Sequence, residues 1–182
     1  MIILGFMGYA SHDTGVCVIK TCKDGNFNFS TIAEERLNRI KYSYHFPLRS
    51  LDYCMRKLNI NSLEEIDLVV NDWSQNRNLF GSNAGYRRLE FDYIRQRLKI
   101  PSSKIHLIPS HHLAHAYSTF IPSGFEKVAV LIVDGLGSGL QGSSLYYAEG
   151  TKIEHIESGD FFGVGMLYEV VTRKILNFDV DE

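Results

Sequence analysis

Residues 2–33 read IILGFMGYASHDTGVCVIKTCKDGNFNFSTIA, and this stretch decides the fold. Ile2 to Met7 is a continuous apolar run ended by a glycine-containing turn, the pattern of a buried strand. A loop, Gly8 to Gly15, follows. Val16 to Lys20 is a second strand, and Cys17 is expected to face the core from it. Lys23-Asp24-Gly25-Asn26 is a hairpin turn, with Asp-Gly as the strong local signal. Phe27, Phe29, Thr31 and Ala33 then alternate with Asn28, Ser30 and Ile32, which gives a third strand. The chain therefore opens with three sequential strands, antiparallel in expectation.

Outward from there the pattern changes to helices and single strands. A charged stretch, Glu34-Glu35-Arg36-Leu37-Asn38-Arg39-Ile40-Lys41, comes first. Leu48 to Leu58 is an amphipathic helix with Pro47 at its start. Ser62 to Glu65 is a cap-like segment before a fourth strand, Ile66 to Val70. Asn83 to Leu98 reads as a longer helix, stopped by Pro101. Its arginines (Arg87, Arg88, Arg95, Arg97) read as a solvated face, because Glu90 and Asp92 interrupt them. Ile105 to Ile108 is the fifth strand, and a histidine-rich segment opens the next helix. Three strands, then helix, strand, helix, strand, helix: this is the element order of an RNase-H-like α/β domain, the building block of the actin-like fold.

From Lys127 the pattern restarts. Val128 to Val133 is a strand ending in a glycine-rich loop, Ser143 to Glu149 and Lys152 to Ile156 are two more, and Gly163 to Phe178 is a helix. Val164, Leu167, Val170, Val171 and Leu176 make its apolar side. The expected organisation is an actin-like (ASKHA) α/β fold with a complete first lobe, 1–126, and a truncated second lobe, 127–182. A half-copy has no complete sheet to bury its helix against.

The 182 residues are 45% hydrophobic and 22% charged, so a packed core is expected and disorder is not. A net charge of −2 gives no reason to expect nucleic acid or an anionic membrane as partner. Cys17, Cys22 and Cys54 form no CxxC pair and fit reduced thiols. The apolar amino terminus lacks a basic leader, and no run approaches membrane-spanning length. Together these features give a cytoplasmic expectation.

The candidate chemistry centres on Ser110-His111-His112-Leu113-Ala114-His115-Ala116. His111 and His115 are spaced i, i+4, so on a helix both imidazoles project from one face and can share one ion. The bland alternative is a pair of capping histidines at a helix start. His112 points to another face and either touches phosphate or packs. Asp134-Gly135-Leu136-Gly137-Ser138 ends a buried strand. Its carboxylate can supply a third ligand, and its glycines let N–H groups approach phosphate. A plain hairpin turn needs Asp and Gly just as much.

With these motifs in order, the chain resembles the NodU/CmcH-type carbamoyltransferases. The resemblance rests on Ile3-Leu4-Gly5 running into Ser11-His12-Asp13-Thr14; on Ala33 to Lys41 closing with Phe46-Pro47; on Ser110 to Ala116; and on Val133 to Ser138. It covers the whole chain, while the chain covers only part of the family's catalytic domain. It implies that carbamoyl phosphate and ATP with Mg give carbamoyl-adenylate, whose carbamoyl group passes to a hydroxyl of a small-molecule acceptor. It implies a divalent metal (iron, zinc or manganese) on His111, His115 and Asp134. A missing carboxyl-terminal segment or a homodimer partner would complete the site, at a cleft between two lobes.

Asp13 is the expected general base and His12 the stabiliser of charge on the carbamoyl oxygen. An Asx-type turn is the bland reading of that pair. Arg36, Arg39 and Lys41, with Gly135, Gly137 and Ser138, are the expected phosphate or substrate contacts. A solvated charge run is the alternative for the three cations. Two other functions remain open: a non-catalytic metal- or nucleotide-binding module acting through dimerisation or a partner chain, and a sugar-kinase-like phosphotransferase. The paired histidines argue against the kinase, since such enzymes hold Mg²⁺ through carboxylates and water.

Overall fold

The computed structural model describes residues 1–7, 13–71, 94–135, 137, 141–159 and 163–178. Among these, the residues up to Leu107 form one compact unit and those from Ile108 onward a second.

Unit 1 is a mixed five-stranded sheet. Strands β1 (Ile2–Met7), β2 (Gly15–Thr21) and β3 (Phe27–Ala33) run antiparallel in sequence. Strand β4 (Leu68–Asn71) lies parallel beside β1, and β5 (Ile105–Leu107) parallel beside β4. The order is therefore β3-β2-β1-β4-β5. Helix α1 (Glu34–Asn38) is short, and α2 (Leu48–Lys57) packs on β2 and β3. The core joins Leu4, Val16 and Val18 to Leu51 and Cys54 of α2 and to Ile66, Val69, Ile94 and Leu98. Full burial of each large apolar side chain contributes about 1.5–3 kcal/mol.

Two details depart from expectation. Val16 and Val18 point into this core, so strand parity turns Cys17 to the opposite face, where it is half-buried. It is Cys54, from α2, that is fully buried. Glu34 does not join the surface charges either. It is 3% exposed. Its Oε2 accepts from the Ser50 N–H at 2.9 Å and the Ser50 hydroxyl at 2.7 Å, in the first turn of α2. The positive end of that helix offsets the cost of burying a carboxylate. The expected cap after α2 is a capping box, in which Ser62 and Glu65 satisfy each other's backbone N–H groups. Most of the helix expected over 83–98, with Arg87 and Arg88, lies outside the described residues; residues 94–98 are helical.

Unit 2 is built on helix α3 (His111–Phe120) and an antiparallel meander of β6 (Lys127–Val133), β7 (Ser143–Glu149) and β8 (Lys152–Gly159). Ala116 packs with Ile132 and Tyr146, flanked by Leu113, Val130 and Ile153. Helix α3, which the expected boundary at residue 126 assigns to the first lobe, thus packs on the strands of the second unit. The final helix is α-helical only over α4 (Val164–Val170) and widens to a π turn over Val171–Ile175. Its apolar side is open: Val164 is 67% and Leu167 62% exposed. Among the described residues no helix is long and apolar enough to cross a membrane.

Candidate metal centre

Ser110 starts α3. Its backbone is extended (φ −150°, ψ 135°) and its hydroxyl accepts from the Leu113 N–H at 3.4 Å. This is the standard service of serine to a helix start. The helix then carries His111 and His115 on one face. Their Nε2 atoms are 2.9 Å apart, with rings edge-on at 4.4 Å between centroids. His111 is buried and His115 exposed, so the pair opens from interior to surface.

Asp134 arrives from the end of β6. Its N–H donates to the Gly142 carbonyl at 3.0 Å, and its Oδ1 accepts from the Gly135 N–H at 2.6 Å. Gly165 of α4 lies so close to the Asp134 carbonyl that a Cβ there would collide with it. A glycine at 165 is therefore a condition for this strand end to sit where it does. The Asp134 Oδ2 lies 3.2 Å from His111 Nε2. One ligand atom each from His111, His115 and Asp134 falls within 4.8 Å of the others.

The imidazoles of His111, first, and then His112 hold the Asp134 carboxyl far below the usual carboxylate range, against the opposing push of burial. The group is a carboxylate at any ordinary pH. His111 Nε2 faces both a second imidazole nitrogen and a carboxylate oxygen, and one proton cannot serve both contacts. A divalent cation can, since imidazole nitrogen and carboxylate oxygen are the donors such ions take. The residues present thus fit a metal, with two imidazoles and one carboxylate leaving coordination positions open.

His112, the next residue along the helix, is completely buried, with its Nε2 3.7 Å from Asp134 Oδ2. Its Nδ1 is 2.7 Å from Ser144 Oγ, which is 2.8 Å from Ser158 Oγ. Ser158 Oγ in turn meets His155 Nε2 at 2.6 Å and the Gln141 amide nitrogen at 3.0 Å. Against the other side of the ring lies Gly137, whose backbone is so near that any Cβ would overlap the imidazole. Of the two readings the sequence leaves for His112, the buried one holds. Ser144, Ser158, His155 and Gln141 are absent from the sequence-derived candidates. Their one sequence signal is a serine, Ser144, on the strand face that also carries Tyr146 and Ala148.

The remaining candidates divide. The Gly135 N–H serves Asp134, and the Gly137 N–H donates to the Gln141 carbonyl at 2.7 Å, so both are engaged within the β6–β7 connection. His12 and Ser138 lie outside the described residues. In unit 1, Asp13 is exposed and takes the left-handed conformation at φ 63°. The next residue, Thr14, donates its N–H and its hydroxyl to the Ser43 carbonyl, both at 3.1 Å. Those bonds tie the Asp13 turn to the loop after α1. Arg36 is exposed and pairs with Glu35 at 3.6 Å. Arg39 is the left-handed cap of α1, and Lys41 sits 4.8 Å from the Tyr42 ring centroid.

The resemblance to NodU-type carbamoyltransferases is borne out among curated proteins. The chain is 29% identical over 182 residues to Nodulation protein NolNO of Sinorhizobium fredii, covering 92% of this chain and 26% of that protein. It is also 29% identical over 198 residues to an uncharacterised protein, sll1178, of Synechocystis, covering 93% of this chain and 31% of the relative. The chain thus spans less than a third of the length of these relatives. No family model matches. Among solved structures, the chain is similar to YeaZ from Pseudomonas aeruginosa (TM-score 0.45, 12% identity, 86% of this chain and 64% of that one). A second is a protein with similarity to peptidase YEAZ from the same organism (TM-score 0.44, 14% identity, again 86% and 64%).

Proposed function

We propose that this chain carries the metal-binding part of an O-carbamoyltransferase, which moves a carbamoyl group from carbamoyl phosphate, by way of carbamoyl-adenylate, to a hydroxyl of a small molecule. The observation that carries the reading is the convergence of His111, His115 and Asp134. The likeness to NolNO supports the reaction class. The β3-β2-β1-β4-β5 order, antiparallel through β1 and parallel beyond it, supports an RNase-H-like lobe of an actin-like fold for unit 1.

When bound, the metal would neutralise phosphate charge and polarise the mixed anhydride. His111 and His115 offer neutral Nε2 lone pairs to it, and Asp134 offers an oxygen that is already ionised. Asp13 is assigned as general base on the acceptor hydroxyl. Arg36, Arg39 and Lys41 are assigned to the anionic donor, the guanidinium fork suiting phosphate oxygens. ATP with Mg supplies the adenylate.

The test is equilibrium binding of a non-hydrolysable carbamoyl-adenylate mimic to manganese-loaded chain. The expected result is binding that disappears on chelation and in His115→Ala. Equal binding with and without metal, or in the variant, would sink the proposal.

A second reading, a module that works through a partner or a second copy, is favoured by the open apolar side of α4 and the turn after it, where Ile175 is 71% and Leu176 53% exposed. Sedimentation separates the two. A dimer that dissociates in Leu167→Glu supports the second reading, and a monomer at micromolar concentration removes its second-copy form.

A further inference from the structure

His112 is conspicuous because the proposed function gives it nothing to do. It adjoins a ligand, yet its ring is sealed from solvent. Two buried polar atoms near it lack hydrogen bonds among the described residues: its own Nε2 and Asp134 Oδ2. They face each other at 3.7 Å. A lone pair on Nε2 would repel the carboxylate, so a proton belongs on Nε2, and in the neutral ring Nδ1 then accepts. Ser144 can supply that bond, as its Oγ is 2.7 Å away. Ser144 then accepts from the Ser158 hydroxyl at 2.8 Å. Ser158 accepts from Gln141 Nε2 at 3.0 Å and from the exposed His155 Nε2 at 2.6 Å. With Nδ1 accepting, each of the two serine hydroxyls donates once, Ser144 to His112 and Ser158 to Ser144.

A backbone irregularity makes the chain possible. Along β7 and β8, Leu145 pairs with Glu157 but Tyr146 pairs with His155, so Ile156 is an extra residue on β8. In a regular strand, residues three apart point to opposite faces. The bulge reverses that parity and brings His155 and Ser158 to one face. His155 is further steadied edge-on against Tyr146, at 5.3 Å between centroids.

We propose that His112 is a positioning residue of the metal centre: as the Nε2–H tautomer, with Nδ1 served by the Ser144 hydroxyl, it points that N–H at Asp134 Oδ2, 3.7 Å away, and the attraction between them holds the carboxylate beside His111. Gly137 is pressed against the Nε2 edge of the ring and limits its movement there. The purpose of the arrangement rests on the metal reading of His111, His115 and Asp134, whereas the tautomer does not.

Two measurements test it. Nitrogen-15 spectra of histidine-labelled, metal-free chain are expected to give the Nε2–H tautomer for His112, with that bias lost in Ser144→Ala. Cobalt(II) titration is expected to give about tenfold weaker binding in Ser144→Ala and His112→Asn, the usual scale for a ligand's outer partner. His112→Gln keeps a donor near Nε2 and should stay closer to wild type, a rescue that mere packing would not produce. Circular dichroism checks that each variant is folded. An Nδ1–H tautomer, or cobalt bound as tightly by Ser144→Ala and His112→Asn as by wild type, overturns this inference alone. Absence of His115-dependent cobalt binding in the wild type overturns the metal reading and this role with it.

Discussion

At the scale of single residues, the site is a matter of which atoms are forced together. Gly137 is the sharpest case. Its backbone touches the His112 ring, which is sealed on its other sides. Gly137→Ala must push the ring or the loop, at a cost of about 2 kcal/mol. The expected result is a lowered denaturation midpoint together with weakened metal binding; unchanged values of both would mean the loop yields freely. The thiols give a second prediction. Burial pushes both Cys17 and Cys54 up, Cys17 also through its neighbour Cys54. A raised pKa means less thiolate, so alkylation of both at pH 8 should be slow in the folded chain and fast in denaturant. Mass spectrometry reads this out, and equal rates in the two states would contradict it.

His111, His115 and Asp134 were legible because each follows a short-range rule, i, i+4 spacing on a helix and a carboxylate at a strand end. Ser144, Ser158 and His155 were not: the two serines meet through cross-strand register, and His155 joins them through one extra residue in β8 that no local pattern announces. Cys17 was misassigned by parity. An apolar residue between two valines looks like core until one knows which face the helix covers.

At the scale of elements, the connections that hold the candidate residues are as specific as the residues. The strands were legible from apolar runs and the Asp-Gly turn, and their bounds shifted by two residues at most, apart from β8. Strand β8 runs on to Gly159, past the expected Ile156, because Ser158 finds hydrogen-bond partners across the sheet. The joint between α1 and α2 was not legible. Glu34 looks like one more surface acid, yet it anchors the first turn of α2 through Ser50. Glu34→Ala leaves the buried Ser50 hydroxyl and the helix start unserved, and should cost about 2–3 kcal/mol in chemical denaturation. Glu34→Gln keeps an acceptor oxygen and should lose less. A neutral Glu34→Ala would mean that the loop bearing Arg39 and Lys41 is held by other means.

At the scale of the whole molecule, the two units carry different parts of the expected chemistry. Unit 1 holds Asp13, Arg36, Arg39 and Lys41, and its α/β character and three antiparallel opening strands match the expectation from element order. Unit 2 holds the histidines and Asp134, and takes α3 for its own because Ala116 packs on Ile132 and Tyr146. The strand pattern restarts only at Lys127, after this helix, since packing partners are not adjacent in sequence. The account stands or falls on unit 2 as a metal centre. The most direct measurement is metal content by mass spectrometry of chain purified without added metal, alongside His115→Ala. The account predicts about one iron, zinc or manganese per wild-type chain and near none in the variant. Equal content in both, or none in either after incubation with the three metals, would contradict it.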